Sequence, residues 1–88
     1  MKSISVIGVG KLGLCFALNL EKVGYRVDGY DINKEYLNEL QNKTFISSEP
    51  GVTELLKNSK NLYLHNNLEK VLENNIIFVI VHPPSLPN

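Results

Sequence analysis

Residues 4–13 read Ile-Ser-Val-Ile-Gly-Val-Gly-Lys-Leu-Gly. Three glycines in the spacing G-x-G-x-x-G close an apolar run here, and residues 11–23 continue with apolar side chains at helical spacing. A strand, a tight turn and a helix in this order form the setting that this glycine spacing requires in dinucleotide-binding βαβ units. The stretch therefore predicts an α/β protein whose first strand is central and whose first helix begins at a binding turn.

Each glycine of the turn has a separate physical task. Gly8 lets the chain leave the strand sharply, Gly10 lets the backbone approach a pyrophosphate, and Gly13 lets the helix pack closely on the strand. Backbone amides at the start of the helix, together with its dipole, bind the anion without a basic side chain. A tight turn that binds nothing is the alternative. The predicted cofactor contacts of the turn are Gly8, Val9, Gly10, Lys11, Leu12 and Gly13.

Asp31 follows the second strand-like run, residues 25–30. A carboxylate at the end of that strand accepts hydrogen bonds from the hydroxyls of an adenosine ribose. Its negative charge also repels a 2′-phosphate. The predicted cofactor is therefore NAD rather than NADP.

The rest of the chain predicts alternating helices and strands. Gly24 is the expected left-handed cap of the first helix, and Ser47 or Ser48 is the expected cap of the third. This alternation implies right-handed crossovers and a partial Rossmann-type parallel sheet of four strands in the order 3-2-1-4, with helices on both faces. The predicted strands are residues 3–8, 26–30, 62–64 and 76–81, and the predicted helices cover 11–23, begin near Asn33 and Pro50, and follow Asn66 or Asn67.

The apolar run at 76–81 predicts a strand that lies deep in the sheet beside the first strand. Because the strand order reverses between these two strands, a cofactor should lie across their carboxyl ends. The segment that follows, residues 82–85, should then face the bound nucleotide.

Length and composition define a small, charge-balanced protein. The chain has 88 residues, nine basic and nine acidic, which fits one domain and gives no indication of nucleic-acid or anionic-membrane binding. A single cysteine excludes an internal disulfide and a cysteine-built zinc site. No apolar stretch approaches the ~20 residues needed to cross a bilayer. We therefore expect a cytoplasmic location.

Four segments together resemble the N-terminal NAD-binding domain of a known family, the UDP-glucose/GDP-mannose dehydrogenases. The resemblance covers about residues 1–86, and its discriminating part is the Glu-Pro-Gly segment, since many dehydrogenases share the glycine turn and the ribose acid. The segments are Ser-Val-Ile-Gly-Val-Gly-Lys-Leu-Gly-Leu at 5–14, Tyr-Asp-Ile-Asn at 30–33, Ser-Glu-Pro-Gly-Val-Thr-Glu-Leu-Leu at 48–56 and Val-His-Pro-Pro-Ser at 81–85.

The resemblance implies NAD-dependent oxidation of a nucleotide sugar, such as UDP-glucose, from the C6 alcohol to the carboxylate through a cysteine thioester. The glycines of the turn and Asp31 match the family's cofactor positions, and Lys34 could reach the adenosine end or remain a solvated helix residue. Where the family usually carries Thr-Pro after the fourth strand, Pro83 stands at the threonine position and His82 precedes it. We count both as cofactor contacts, although this departure removes a hydroxyl and an amide donor.

The resemblance also implies a truncated protein. Residues 1–88 would form the N-terminal part of the NAD(P)-binding domain, and the central helix and the substrate domain with the catalytic cysteine would be absent. No catalytic residue is therefore predicted, the chain alone is not expected to be catalytically competent, and a UDP-sugar would bind only if those domains were supplied.

The remaining reactive side chains have mainly structural interpretations. Cys15 lies on the apolar side of the first helix and is expected in the core, whereas His65 should be solvated after an edge strand. His82 by itself is more often structural, and Ser85 could donate to a phosphate or ribose. No metal site is predicted, because two isolated histidines do not make one.

Two functions from different classes remain open. The first is weak NAD binding by a portion of a nucleotide-sugar dehydrogenase. The second is a non-catalytic remnant that forms a homodimer, or binds a partner without cofactor, through an apolar edge left by the fourth strand. A β-hydroxyacid-type dehydrogenase would keep NAD and change the substrate, but the Glu-Pro-Gly segment argues against it.

Overall fold

The computed structural model describes residues 2–81. Its strands form one parallel sheet in the order β3-β2-β1-β4, which confirms the predicted Rossmann-type topology. Among the described residues, no helix combines the length and the apolar character that a membrane span needs. The elements in chain order are β1 (Ser3–Ile7), α1 (Lys11–Lys22), β2 (Arg26–Tyr30), α2 (Lys34–Gln41), α3 (Val52–Asn58), β3 (Leu62–Leu64), α4 (Leu68–Val71) and β4 (Ile76–Val79).

Helices cover both faces of the sheet, and the two faces differ in chemistry. Because side chains alternate along a strand, β1 places Ile4 and Val6 on one face and Ser5 on the other. The apolar face packs against α1, α2 and α3, while α4 lies over the polar face, where Ser5 Oγ donates a hydrogen bond to the carbonyl oxygen of Val71. The main core consists of Val6, Val9, Leu14, Ala17, Leu18, Val27, Leu37, Leu40, Val52, Leu56 and Leu62.

The predicted caps are present on three of the helices. Gly24, with φ of 110°, follows the C-cap of α1, and its amide and that of Tyr25 donate to the carbonyl oxygens of Glu21 and Leu20. This is the left-handed closure expected of a glycine at that position. Asn33 accepts from the amide of Tyr36 at the start of α2, and Asn67 accepts from the amide of Glu69 at the start of α4.

The start of α3 differs from the prediction. The helix begins at Val52 after Gly51, which has a φ of 82°, and no side chain caps it. Ser47 Oγ instead accepts from the amide of Glu49 within the preceding turn. The expected start at Pro50 and the expected serine cap are therefore wrong, because a left-handed residue separates the proline from the helix.

The position of β4 is also partly different from the prediction. It pairs with β1 as expected, but within residues 2–81 it has no second strand neighbour. Phe78 packs edge-on against Phe16 at a centroid distance of 4.9 Å, yet it remains 39% exposed, and Val79 is 61% exposed. An apolar run shows what a strand is able to bury, but it does not show that both faces are covered, so the expected deep burial of this strand is wrong.

Candidate functional site

A cleft of about 420 Å³ lies at the carboxyl ends of β1, β2 and β4. It straddles the point where the strand order reverses between β1 and β4, which is where open α/β sheets bind ligands. Most of its wall is apolar, and among residues 2–81 Asp31 is the one acidic side chain that lines it. The lining residues are Ile7, Gly8, Gly10, Gly13, Tyr30, Asp31, Ile32, Leu68, Val79, Ile80 and Val81.

The glycine turn brings three backbone segments into close approach. Gly8 has a φ of 94°, and a Cβ on this residue would lie 2.2 Å from the carbonyl oxygen of Ile80. A Cβ on Gly13 would lie 1.8 Å from the carbonyl oxygen of Gly8. Both distances are far below van der Waals contact. Glycine is therefore required at both positions, because β1, α1 and the end of β4 meet there.

The first turn of α1 presents backbone donors rather than side chains. Gly10 is its N-cap residue, and no side chain caps the helix. The side chains of Lys11 and Leu12 lie outside the cleft lining, and Lys11 Nζ pairs with Glu49 Oε1 at 3.0 Å. What Lys11 and Leu12 can offer an anion in the cleft is consequently their main-chain amides, which have no intrahelical partner in a first turn.

Asp31 joins the end of β2 to the glycine turn and to the start of α2. Its Oδ2 accepts from the amide of Val9 at 3.1 Å, and its Oδ1 accepts from the amide of Asn33 at 2.9 Å. A carboxylate has about four acceptor positions. Both oxygens can therefore still accept hydrogen bonds from a ligand at the rim of the cleft.

Tyr36 contacts the glycine turn from α2. Its hydroxyl donates to the carbonyl oxygen of Val9 at 2.5 Å, and its ring packs edge-on against Phe45 at 5.1 Å. Burial, followed by the negative charges of Asp31 and Glu39, raises the pKa of Tyr36 to about 12. Sequence reasoning did not identify this residue as part of the site. The signal it missed is that a buried tyrosine needs a partner for its hydroxyl.

Lys34 is exposed and has local partners beside the cleft. Its Nζ donates to the carbonyl oxygen of Asn66 at 3.0 Å and to Tyr30 Oη at 3.4 Å, and lies 4.6 Å from the centroid of the Tyr30 ring. The side chain thus connects α2 with the segment between β3 and α4.

The other predicted residues have different outcomes. His82, Pro83 and Ser85 lie outside the described residues. Cys15 is half-buried against the core, and its Sγ accepts from Asn19 Nδ2 at 3.6 Å. Within residues 2–81, no group of three His, Cys, Asp or Glu side chains is placed to hold a metal ion.

A cluster of polar side chains around the buried Asp28 was missed by the sequence reasoning. Asp28 is 5% exposed on the polar face of the sheet, and His65 Nε2 lies 2.7 Å from its Oδ1. Arg26 Nη2 donates to the same oxygen at 3.1 Å, and Asn74 Nδ2 donates to Oδ2 at 2.9 Å. The expectation that His65 is solvated is therefore wrong. The available signal was a carboxylate in the middle of a strand, where it must find partners.

The pKa of Asp28 follows from these contacts. Burial opposes ionisation, but the hydrogen bonds from Arg26, Asn74 and His65 hold the pKa of this carboxyl below its ordinary value. The same ion pair raises the pKa of Arg26. The side chains of the cluster hydrogen-bond to one another. They lie on the polar face of the sheet, outside the lining of the glycine cleft.

Comparison with known proteins gives a consistent result across sequence and structure. Residues 2–88 match the model of the UDP-glucose/GDP-mannose dehydrogenase family, NAD binding domain. UDP-N-acetyl-D-mannosamine dehydrogenase of Methanococcus vannielii is 45% identical over 80% of this chain and 17% of its own length. UDP-glucose 6-dehydrogenase of Bacillus subtilis is 31% identical over 93% of this chain and 20% of its own length.

The fold comparison agrees. A UDP-glucose dehydrogenase from the archaeon Pyrobaculum islandicum superposes with a TM-score of 0.88 and 30% identity, over 99% of this chain and 21% of that chain. The chain thus spans about a fifth of the length of each of these three relatives. The chain belongs to the UDP-glucose/GDP-mannose dehydrogenase family and corresponds to its NAD-binding domain.

Proposed function

We propose that this chain binds NAD across the glycine cleft, with the pyrophosphate at the turn and the adenosine ribose at Asp31. The observation that carries the proposal is the convergence of an uncapped helix start, two sterically required glycines and a carboxylate on one cleft. Residues 1–88 then act as the N-terminal part of the NAD-binding Rossmann domain. When bound, NAD would supply the hydride acceptor of an oxidation.

The proposed contacts divide by chemistry. The backbone of residues 8–13, including the amides of Lys11 and Leu12, faces the pyrophosphate, because amides at a helix start bind anions. Asp31 accepts from the ribose hydroxyls with the acceptor positions left by Val9 and Asn33. Lys34 lies near the adenosine side through its contact with Tyr30. His82 and Pro83 stay predictions for the nicotinamide side.

The wider activity is proposed from the relatives. Their names describe oxidation of UDP-glucose and UDP-N-acetyl-D-mannosamine. We propose that NAD held by this chain serves oxidation of the C6 alcohol of a nucleotide sugar in the cytoplasm, together with a substrate domain that supplies the UDP-sugar site and the nucleophile.

Calorimetric titration tests the proposed binding. NAD should give saturable heat at millimolar concentrations, and NADP should bind more weakly because its 2′-phosphate meets the Asp31 carboxylate. Asp31→Asn should reduce the preference for NAD over NADP, whereas Glu35→Gln, an exposed change on α2, should not. No heat and no thermal shift with NAD well above millimolar concentration would contradict the proposal.

Self-association is a second candidate, and the exposed surface of β4 favours it. Ile77, Phe78 and Val79 are 37%, 39% and 61% exposed on a sheet edge. Apolar strand edges favour pairing with another chain. We expect a homodimer by light scattering, weakened by Val79→Lys but not by Val23→Lys, which changes an exposed valine at the far end of α1. A monomer at high concentration would exclude this candidate.

A further inference from the structure

We propose that Tyr36 is a positioning residue for cofactor binding: its hydroxyl fixes the peptide between Val9 and Gly10 so that the Gly10 amide points toward the cleft. The inference rests on the NAD site proposed above and assigns a role to a residue outside the cleft lining. The distances within the glycine turn carry the argument.

Val9 lies between two glycines of high conformational freedom, and its own position is fixed by burial and by hydrogen bonds. Its side chain is fully buried, and its Cγ1 would lie 3.2 Å from a Cβ added to Gly29. Its amide donates to Asp31 Oδ2, and its carbonyl oxygen accepts from Tyr36 Oη. Both polar groups of Val9 are thus held, the amide by Asp31 at the end of β2 and the carbonyl oxygen by Tyr36 of α2.

Through peptide geometry, these two contacts set the directions of the Gly8 carbonyl and the Gly10 amide. The structure has no cis peptide among the described residues, and in a trans peptide the carbonyl and the following amide point in opposite directions. Because the Val9 amide donates to Asp31, the Gly8 carbonyl points in the opposite direction. This direction agrees with the distance of 1.8 Å between the Gly8 carbonyl oxygen and a Cβ placed on Gly13. With the Val9 carbonyl on Tyr36, the Gly10 amide must point away from α2.

The direction of the Gly10 amide depends on other residues, because Gly10 has no side chain that could fix its own backbone. Glycine loses more conformational freedom than any other residue when it is ordered, so a donor on Gly10 is useful to an anion only if another group orients it. Tyr36 provides that group, because its hydroxyl donates to the Val9 carbonyl oxygen. The edge-on contact with Phe45 in turn holds the Tyr36 ring.

The test compares Tyr36→Phe with Tyr25→Phe in the 88-residue chain. The first removes only the hydroxyl that reaches Val9, and the second removes a hydroxyl at the opposite end of α1, from a ring packed on the same core. We expect Tyr36→Phe to weaken NAD and ADP by about fivefold, because both carry a pyrophosphate. Adenosine, which has no pyrophosphate, should keep its affinity, and Tyr25→Phe should change none of the three.

A ligand-free measurement keeps the inference testable by itself. Residual dipolar couplings of backbone amides report the direction of each N–H vector, and the Gly10 coupling should change in Tyr36→Phe while those of α1 from Leu14 onward stay the same. An unchanged Gly10 coupling would overturn the inference, as would equal losses for adenosine and NAD. Absence of any NAD binding by the parent chain would instead contradict the proposed function, and the couplings would still decide the role of Tyr36.

Discussion

Asp28 and Asp31 belong to the same strand and its immediate end, yet they hold different kinds of partner. Asp31 is half-buried and accepts from two backbone amides, those of Val9 and Asn33. Asp28 is buried on the polar face of the sheet and is bound by the side chains of Arg26, His65 and Asn74. The Asp31 region is therefore built from backbone groups, whereas the Asp28 region is built from polar and charged side chains.

The Asp31 region, which is built from backbone groups, should lose most stability when the shape of the main chain is changed. Gly13→Ala places a Cβ 1.8 Å from the Gly8 carbonyl oxygen, and we expect it to lower the free energy of unfolding by about 3 kcal/mol or more. Urea denaturation measures the loss. Gly24→Ala is the matched control, because nothing lies within 4 Å of its added Cβ and only the strain of a positive φ, about 1 kcal/mol, remains. Equal losses for the two variants would contradict the close approach at Gly13.

The Asp28 region, which is built from side chains, should lose most stability when its charged group is removed. Asp28→Ala removes the buried acceptor that Arg26, His65 and Asn74 share, and we expect a loss of about 2–3 kcal/mol in urea denaturation. Glu35→Ala removes an exposed carboxylate from α2 and should cost less than about 1 kcal/mol. If the two losses were the same, Asp28 would not be the centre of a buried cluster.

The two aspartates should also differ in their contribution to pH dependence. The folded pKa of Asp28 lies below its ordinary value of 3.8, so its stabilisation is complete above that value and is lost as the pH falls through the folded pKa. The free energy of unfolding should therefore fall on acidification below about pH 4, and more steeply than in Asp28→Asn. The unfolding curves of both proteins between neutral and acidic pH give this comparison. Parallel curves would show that the Asp28 carboxyl is not favoured in its charged form.

The smallest effect is expected at the ion pair that borders the glycine turn. Lys11 and Glu49 are 67% and 41% exposed in their side chains, and solvent screens such pairs. Glu49→Gln should change the free energy of unfolding by no more than about 0.5 kcal/mol, and high salt should remove the difference. A larger loss that persists in high salt would mean that Glu49 has a structural role beyond this pair.

Much of the fold was predictable because local patterns agree with it. Residues 4–13 and the apolar runs are enough to give the strand order, and Asn33 and Gly24 mark the ends of helices through their intrinsic chemistry. The start of α3 was not predictable in this way. Ser47 is a good cap by type, but its hydroxyl is used within the turn before Gly51.

The failures at the site share one physical cause, which is contact between residues distant in sequence. His65 meets Asp28 only after β3 is placed beside β2, and Tyr36 meets Val9 only after α2 packs over the turn. The exposure of β4 likewise depends on what covers the sheet, which an apolar run cannot specify. The glycine spacing was accessible because the turn is continuous with β1 and α1, and Asp31 was accessible because it directly follows β2.

Amide chemical-shift mapping with NAD compares the Asp31 and Asp28 regions in one titration. If NAD binds at the glycine cleft, we expect saturable shifts at the amides of residues 8–13 and at Asn33, which hydrogen-bonds to Asp31, with little change at Asp28, His65 or Asn74. Shifts centred on the Asp28 cluster, or no shifts with NAD well above millimolar concentration, would contradict binding at the glycine cleft.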